Sequence, residues 1–186
     1  MDQPVTGERF CLYDGPELDA VLAGMARQIA ARYADRRSVV LVGILRRGLP
    51  LAQRLQVHLK ALGVPDWPCY PLQLKRYSDD LRLLHPETAL TENPEIAALD
   101  LANTTLLLVD DVLYQGHSLL RACAWLASIG AREIRPVVLV DRQVHRQPVQ
   151  ADVVGLSLQV ASGDVIECHV PPYEAQWGIE LLRPAR

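Results

Sequence analysis

The chain has 186 residues, of which 49% are apolar and 22% are charged, an ordinary balance for one globular domain with a full core. Its formal net charge is −3, so no basic field over the whole molecule indicates nucleic-acid binding. No apolar run is long enough to span a membrane and charged residues interrupt the N-terminus, so we expect a cytoplasmic protein with no membrane segment.

The first half of the chain predicts alternating helices and strands. Apolar residues at helical spacing predict a helix from Pro16 to Tyr33, and the β-branched run from Ser38 to Ile44 predicts a strand covered on both faces. This strand ends in LRRG (Leu45 to Gly48), and a second helix is predicted from about Leu49 to Leu62. A third, weaker strand is predicted at Cys69 to Leu74.

The segment 75–103 has no sustained apolar period and is long for a connection inside one domain. It begins with KRYSDDL, Lys75 to Leu81, and continues through several prolines and acids. Connections of this length are usually functional flaps, so we predict a flap here.

The stretch TTLLLVDDVLYQGHS, Thr104 to Ser118, carries the strongest chemical signal. A buried strand ends in the two acids Asp110 and Asp111, and a short loop containing Gly116 leads to a helix predicted from Leu119 to Ile129. The carboxylates can accept hydrogen bonds from vicinal hydroxyls, and the loop amides at a helix start can hold a phosphate. The pattern therefore indicates a site for a sugar phosphate.

The remaining chain predicts strands at Arg132 to Arg142 and Asp152 to Leu156, then two short strands within DVIECHV and WGIEL. Strands that alternate with amphipathic helices indicate a parallel sheet with right-handed crossovers. Ligands bind at the carboxyl ends of such strands. The polar clusters LRRG, DDVLYQGHS and VDR (Val140 to Arg142) all fall at such ends, which favours one shared site.

Two other site classes also place acids after an apolar strand. A Walker B element requires a GxxxxGK[ST] partner, and the chain has none. A receiver phosphorylation site requires acids after the first predicted strand, where this chain has Arg46 and Arg47. Arginines at a helix start oppose the helix dipole unless an anion is bound, so they too favour a phosphate ligand.

TTLLLVDDVLYQGHS resembles the signature of the type I phosphoribosyltransferases, which bind 5-phosphoribosyl-1-pyrophosphate (PRPP). Together with VDRQVHRQPVQADVVGL (Val140 to Leu156), it is most similar to the PyrR family of pyrimidine-operon attenuators with uracil phosphoribosyltransferase activity. The chain departs from the family pattern at Gln115, where Thr is usual, and at His117, where Arg or Lys is usual. Leu45 also stands where relatives often carry Lys.

The resemblance implies a single domain over residues 1–186 with the α/β type I phosphoribosyltransferase fold. This fold has a parallel sheet of about five strands flanked by helices, a flap at about 75–103 and a small hood from the C-terminal strands. The implied reaction joins uracil to PRPP and releases UMP and pyrophosphate, with Mg²⁺ entering alongside PRPP. A homodimer is implied as well. Tyr114 stands where many purine enzymes carry an acid, which favours a pyrimidine.

The resemblance also assigns residues to this reaction. Asp110, Asp111 and Arg47 are the expected catalytic residues, and the two acids would hold Mg²⁺ indirectly, through the ribose and waters. Arg46 and Arg47 are expected to bind pyrophosphate. The rest of the expected PRPP and UMP site comprises Val112, Leu113, Tyr114, Gln115, Gly116, His117, Ser118, Arg142 and Ile166, and the expected flap residues are Arg76, Asp79 and Asp80.

Two alternative functions stay open. A PyrR-like protein can act as a UMP-sensing regulator that binds an mRNA leader through a basic surface, although lysines are nearly absent here. The chain can also be a phosphoribosyltransferase for another base, or a degenerate sensor that binds without turnover.

Overall fold

The computed structural model describes residues 7–74 and 93–185. Their helices and strands follow one another as β1 (Gly7–Tyr13), α1 (Gly15–Tyr33), β2 (Val39–Ile44), α2 (Gly48–Ala61), β3 (Cys69–Leu72), α3 (Pro94–Ala97), β4 (Thr105–Leu113), α4 (His117–Ser128), β5 (Glu133–Asp141), β6 (Val153–Ser157), β7 (Val165–His169) and β8 (Gly178–Pro184). The helices and strands predicted from apolar spacing are all present, with bounds that differ by a few residues.

Five strands form a parallel sheet in the order β3-β2-β4-β5-β6, which confirms the predicted α/β architecture. Strand β3, which follows β2 in the chain, lies on one side of β2, and β4 lies on the other side. The direction in which successive strands are added to the sheet therefore reverses between β2 and β4. In open α/β sheets the crevice at this reversal, at the carboxyl ends of the strands, is where ligands bind.

The sheet is buried on both faces, as its continuous apolar strands predict. Alternate residues serve the two faces: Val39 and Leu41 pack with α1 and α2, whereas Val40 and Val42 pack with α3 and α4. Gly43 approaches α2 so closely that a β-carbon there would lie 2.4 Å from the Leu49 Cα. The layers hold the starts of α2 and α4 at the carboxyl edge of the sheet.

A separate antiparallel sheet in the order β1-β8-β7 forms the hood. The sequence predicted a hood from the C-terminal strands alone, and this is incomplete because β1 contributes a third strand from the N-terminal end. Five of the seven residues of β1 are exposed, so the strand has no buried apolar face to mark it in the sequence. Residues of β7 and β8, including Ile166 and Ile179, join the core beside α1.

Strand β4 does not stop at the acids Asp110 and Asp111 but continues past them to Leu113. The last part of the predicted flap, 75–103, contains α3 and the buried side chains Ile96 and Leu101. The expected flap residues Arg76, Asp79 and Asp80 lie outside the described residues. Among the described helices, none has the length and apolar character needed to cross a membrane.

Candidate active site

The turn after β2 lies directly against the end of β4. A β-carbon on Gly48 would lie 2.4 Å from the carbonyl oxygen of Val109, so only glycine permits this approach. The peptide bond between Leu45 and Arg46 is cis. The close packing brings Arg46 and Arg47 to the edge of the sheet where Asp110 and Asp111 lie.

Both arginines of this turn contact the loop between β7 and β8. The Arg46 guanidinium lies 4.7 Å from the centre of the Tyr173 ring, and Arg47 forms an ion pair with Glu174. Glu174 also accepts a hydrogen bond of 2.8 Å from the Val170 amide. The hydrogen bond from Arg47 to Glu174 raises the pKa of Arg47, and the nearby Asp111 carboxylate raises it further. The two expected pyrophosphate ligands are therefore held by the hood.

Asp110 and Asp111 form a close acidic pair. The Asp111 amide donates a hydrogen bond of 3.0 Å to Asp110 Oδ1. Burial, followed by repulsion from the Asp111 carboxylate, raises the pKa of Asp110 well above its ordinary value. Asp110 lines a cavity at the start of α4, whereas Asp111 is close enough to Arg47 to affect its pKa. The pair thus lies between the cavity and the arginine turn.

The cavity at the start of α4 has a volume of about 340 Å³ and contains most of the expected phosphate-binding residues. Gly116 caps α4 with φ +91°, a left-handed conformation that other residues rarely adopt. The backbone amides that open α4 are a favourable site for an anion. The cavity is lined by Asp110, Val112, Leu113, Tyr114, Gln115, Gly116, His117, Ser118, Leu119, Arg121 and Val138.

The two residues that depart from the family pattern have different positions in this loop. The Gln115 carbonyl accepts hydrogen bonds from the amides of Arg146 and Gln147, at 3.0 and 3.1 Å, which joins the loop to the segment after β5. His117 is the first residue of α4. The main chain of the loop is therefore anchored independently of the side chain at position 115.

Arg121, which the sequence analysis did not select, also lines this cavity. Its Nε donates a hydrogen bond of 3.2 Å to the carbonyl oxygen of His117, one helical turn earlier. The signal was available in the sequence, because residues four apart on a helix share a face.

Arg142 is anchored at the end of β5. Its guanidinium lies 4.5 Å from the centre of the Tyr114 ring, and Nη2 donates a hydrogen bond of 3.1 Å to the Asp164 carbonyl. Arg142 is buried, and its two contacts link the loop that contains Tyr114 to the segment before β7. The side chain of Ile166 is also buried and packs in the core, so any contact with a ligand would come from its backbone.

Asp141 fixes the turn that follows β5. Its Oδ1 accepts hydrogen bonds of 2.7 Å from the Gln143 amide and 2.7 Å from His145 Nε2. His145 is partly buried and bound to Asp141. This turn carries Arg142 to its place beside Tyr114.

The described residues contain one cluster with the geometry of a metal site. Glu167, His169 and Glu180 lie on the hood with their ligand atoms within 4.8 Å of one another. Arg9 forms ion pairs with both glutamates, so an internal cation already neutralises part of their charge. The acids of the crevice, Asp110 and Asp111, remain the better candidates for a metal that enters with a substrate.

Comparisons with known proteins agree with this architecture. The phosphoribosyl transferase domain family matches residues 11–177. The "Bifunctional protein PyrR" of Elusimicrobium minutum is 32% identical over 174 residues, which cover 91% of this chain and 94% of the relative. The protein of that name from Deinococcus radiodurans is 30% identical over 181 residues, covering 97% of this chain and 98% of the relative.

Solved structures of two purine phosphoribosyltransferases are similar in fold. A hypoxanthine phosphoribosyl transferase of Trypanosoma cruzi has a TM-score of 0.74 at 19% identity, covering 98% of this chain and 94% of its own. The HGPRT-ase of Leishmania tarentolae in complex with GMP has a TM-score of 0.70 at 18% identity, covering 94% and 96%. At these identities the similarity establishes the fold alone. The family match and the sequence relatives show that the chain belongs to the type I phosphoribosyltransferase superfamily and, within it, to the PyrR family.

Proposed function

We propose that the protein transfers the 5-phosphoribosyl group of PRPP to uracil, forming UMP and releasing pyrophosphate. The observation that carries this proposal is the position of the acid pair between two candidate anion sites. Asp110 lines the cavity at α4, and Asp111 lies near Arg47 at the start of α2. PRPP has the same order of groups, since its ribose hydroxyls lie between a monophosphate and a diphosphate.

Each part of the crevice has a role in this reaction. The amides from Gln115 to Ser118 hold the 5'-phosphate, and the carboxylates of Asp110 and Asp111 accept hydrogen bonds from the ribose hydroxyls. Arg46 and Arg47 stabilise the negative charge that grows on the departing pyrophosphate. Charge-assisted hydrogen bonds suit this task, because they strengthen as the charge develops. No residue needs to form a covalent bond to the sugar.

The acid pair fits the Mg²⁺ that the family resemblance implies. Carboxylate oxygens are preferred Mg²⁺ ligands, and repulsion between the two acids, which raises the pKa of Asp110, would be relieved by a cation. When bound with PRPP, Mg²⁺ would neutralise charge on the diphosphate. Asp110 and Asp111 would hold it through the ribose hydroxyls and waters.

Uracil is proposed as the base because the curated relatives are named PyrR. In addition, Tyr114, which contacts Arg142, occupies the loop position where many purine enzymes carry an acid. The test is a PRPP-dependent assay that measures pyrophosphate release with uracil, cytosine, hypoxanthine and guanine. Release with uracil alone is expected. Turnover with a purine but not with uracil would overturn the choice of base, and PRPP binding without turnover would identify a sensor. Light scattering tests the expected homodimer.

A second candidate function is a UMP-dependent RNA regulator, which the relatives' name "Bifunctional" favours. One structural feature adds support: a cleft of about 630 Å³ at the amino end of the sheet, which we call the arginine cleft. It is lined by Arg36, Arg37, Arg132 and Arg135, together with acids that include Glu133. Glu133 pairs with Arg135 and Arg36, whereas Arg37 and Arg132 are exposed.

Filter binding of the cognate mRNA leader, with and without UMP, tests this second function. Binding is expected to weaken as salt rises and to be reduced in an Arg37→Gln, Arg132→Gln double variant, because phosphate contacts dominate RNA affinity. Arg27→Gln removes an exposed arginine from α1 and serves as the control. An absence of measurable affinity at low ionic strength would exclude the regulatory function.

A further inference from the structure

Arg121 is placed by α4 so that its side chain reaches back to the start of the helix. Side chains of an α-helix tilt toward its N-terminus, and the hydrogen bond from Arg121 Nε to the His117 carbonyl fixes this direction. Arg121 is also part of the wall of the 340 Å³ cavity. A permanent positive charge therefore lies beside the amides that open α4.

The other residues of the cavity wall indicate a role for the positive charge of Arg121. Asp110 contributes a carboxyl group, and the loop position where relatives carry Arg or Lys is His117. Imidazole carries its charge only when protonated, whereas guanidinium is charged at every physiological pH. Among the described residues that line this cavity, Arg121 is the only arginine or lysine.

We propose that Arg121 binds the 5'-phosphate of the ligand and replaces, from one helical turn later, the Arg or Lys that relatives carry at position 117. This inference rests on the proposed function, because it assumes that the cavity receives the phosphate of PRPP or UMP. The chemical class it assigns is a phosphate monoester on a sugar. The guanidinium can form two parallel hydrogen bonds to such a group, which adds geometric selectivity to charge.

The experiment measures calorimetric affinity for three probes: PRPP, ribose 5-phosphate and pyrophosphate. Arg121→Gln is expected to weaken PRPP and ribose 5-phosphate by at least about tenfold, the loss for one charge-assisted hydrogen bond. Pyrophosphate should bind unchanged, because its proposed site is the turn at Arg47. Arg121→Lys keeps the charge without the planar fork, so its affinities should lie between those of wild type and Arg121→Gln.

Controls separate this inference from the proposed function and from misfolding. Arg27→Gln removes the same charge on exposed α1 and should leave all three affinities unchanged. Thermal unfolding without ligand checks that Arg121→Gln is folded. If wild type fails to bind PRPP, the proposed function fails. If wild type binds PRPP and Arg121→Gln binds it equally well, or if all three probes weaken together, the role of Arg121 is overturned while the proposed function stands.

Discussion

Two helices, α2 and α4, begin in the crevice, and the residues around their N-terminal ends are arranged differently for binding an anion. At the start of α4, the loop from Val112 to Ser118 lines the cavity, and Gly116 in this loop adopts a left-handed conformation. At the start of α2, the charged groups are Arg46 and Arg47, and both already have partners in the hood, Tyr173 and Glu174. One site is open and preformed, and the other is held by an internal counter-ion.

This difference suggests that the two ends of PRPP bind by different physical routes. A monophosphate entering at α4 meets the backbone amides that open the helix. A diphosphate entering at α2 must compete with the Glu174 carboxylate for Arg47, so part of its binding energy is offset by breaking that ion pair. Phosphate binding at α4 should therefore depend on backbone geometry as well as on the charge of Arg121, whereas binding at α2 requires Arg47 to leave its counter-ion.

The largest expected effect comes from the acid that lies on the α2 side. Asp111→Asn keeps the size and hydrogen-bonding capacity of the side chain but removes its charge beside Arg47 and the proposed ribose position. We expect kcat to fall about a hundredfold or more, the scale for losing one preorganised electrostatic contact. Steady-state kinetics measures this loss, and thermal unfolding should show little change. Wild-type turnover in Asp111→Asn would mean that the chemistry occurs elsewhere.

Gly116→Ala tests the claim that the α4 site depends on backbone geometry. A β-carbon at this position would be strained by φ +91° and would lie 2.5 Å from Val149 Cγ2. We expect the loop to shift and PRPP affinity to fall by about tenfold, with a stability loss of about 1 kcal/mol. Isothermal calorimetry and thermal unfolding measure the two effects.

The other end of α4 provides a matched control. Gly130 has φ +104°, and nothing lies within 4 Å of a β-carbon there. Gly130→Ala should therefore show a similar backbone cost in stability with unchanged PRPP affinity. If both variants lose affinity equally, the loss reflects general destabilisation, and the α4 cavity is not specifically prepared for phosphate.

Much of the fold could be predicted because its strands are continuous apolar runs and its helices have one apolar face. Strand β2 is entirely buried and α1 buries Leu18, Leu22, Met25 and Ile29 in a helical pattern, so both were visible in the sequence. Strand β1 was missed for the opposite reason, since it is mostly exposed and is held by pairing with β8, more than 160 residues away. Such pairing leaves no local pattern.

The candidate site was predictable where its residues follow a strand and unpredictable where they come from irregular loops. Asp110, Asp111 and Gly116 follow from the pattern of strand, acids, glycine and helix. Glu174 lies between β7 and β8 in a segment without periodicity, and its contact with Arg47 depends on tertiary packing. Nothing near either residue in the sequence indicates that pair.

Glu174→Gln tests the claim that the α2 site is held by an internal counter-ion. The side chains of Arg47 and Glu174 are 40% and 21% exposed, so the ion pair contributes at most about 1 kcal/mol. Releasing Arg47 should therefore tighten pyrophosphate binding by up to about fivefold. Ribose 5-phosphate, which is proposed to occupy the α4 site, should bind unchanged. Calorimetry with the two probes measures the contrast.

Glu167→Gln is the matched control, because Glu167 pairs with Arg9 elsewhere on the hood. This variant should bind pyrophosphate as wild type does. Weaker pyrophosphate binding in Glu174→Gln would show instead that Glu174 orients Arg47 for the ligand, and the proposed competition at the α2 site would be wrong.

The smallest expected effect concerns stability and Asp110, the acid on the α4 side. Burial and the Asp111 carboxylate raise the pKa of Asp110 in the folded protein, so the ligand-free fold binds this proton more tightly than the unfolded chain does. Stability should therefore rise as pH falls from neutral through the raised pKa, and this gain should be complete below the ordinary carboxyl pKa. Asp110→Asn mimics the protonated form at neutral pH and keeps an oxygen that can accept the Asp111 amide. We expect its melting temperature to rise by about 2–4 °C, the shift that ~1 kcal/mol gives in a chain of this size.

Thermal unfolding of ligand-free protein between about pH 4 and 8 measures this effect, with Asp110→Asn showing a smaller rise toward acid than wild type. Asp35→Asn removes the same charge at an exposed position after α1 and should leave the melting temperature at neutral pH unchanged. Because Asp110 lines the cavity at α4, stabilisation in Asp110→Asn together with lost turnover would mean that the open site retains a destabilising carboxylate for its ligand. A lower melting temperature in Asp110→Asn would instead mean that the ionised carboxylate stabilises the ligand-free crevice, and the α4 side would then be held by charge as the α2 side is.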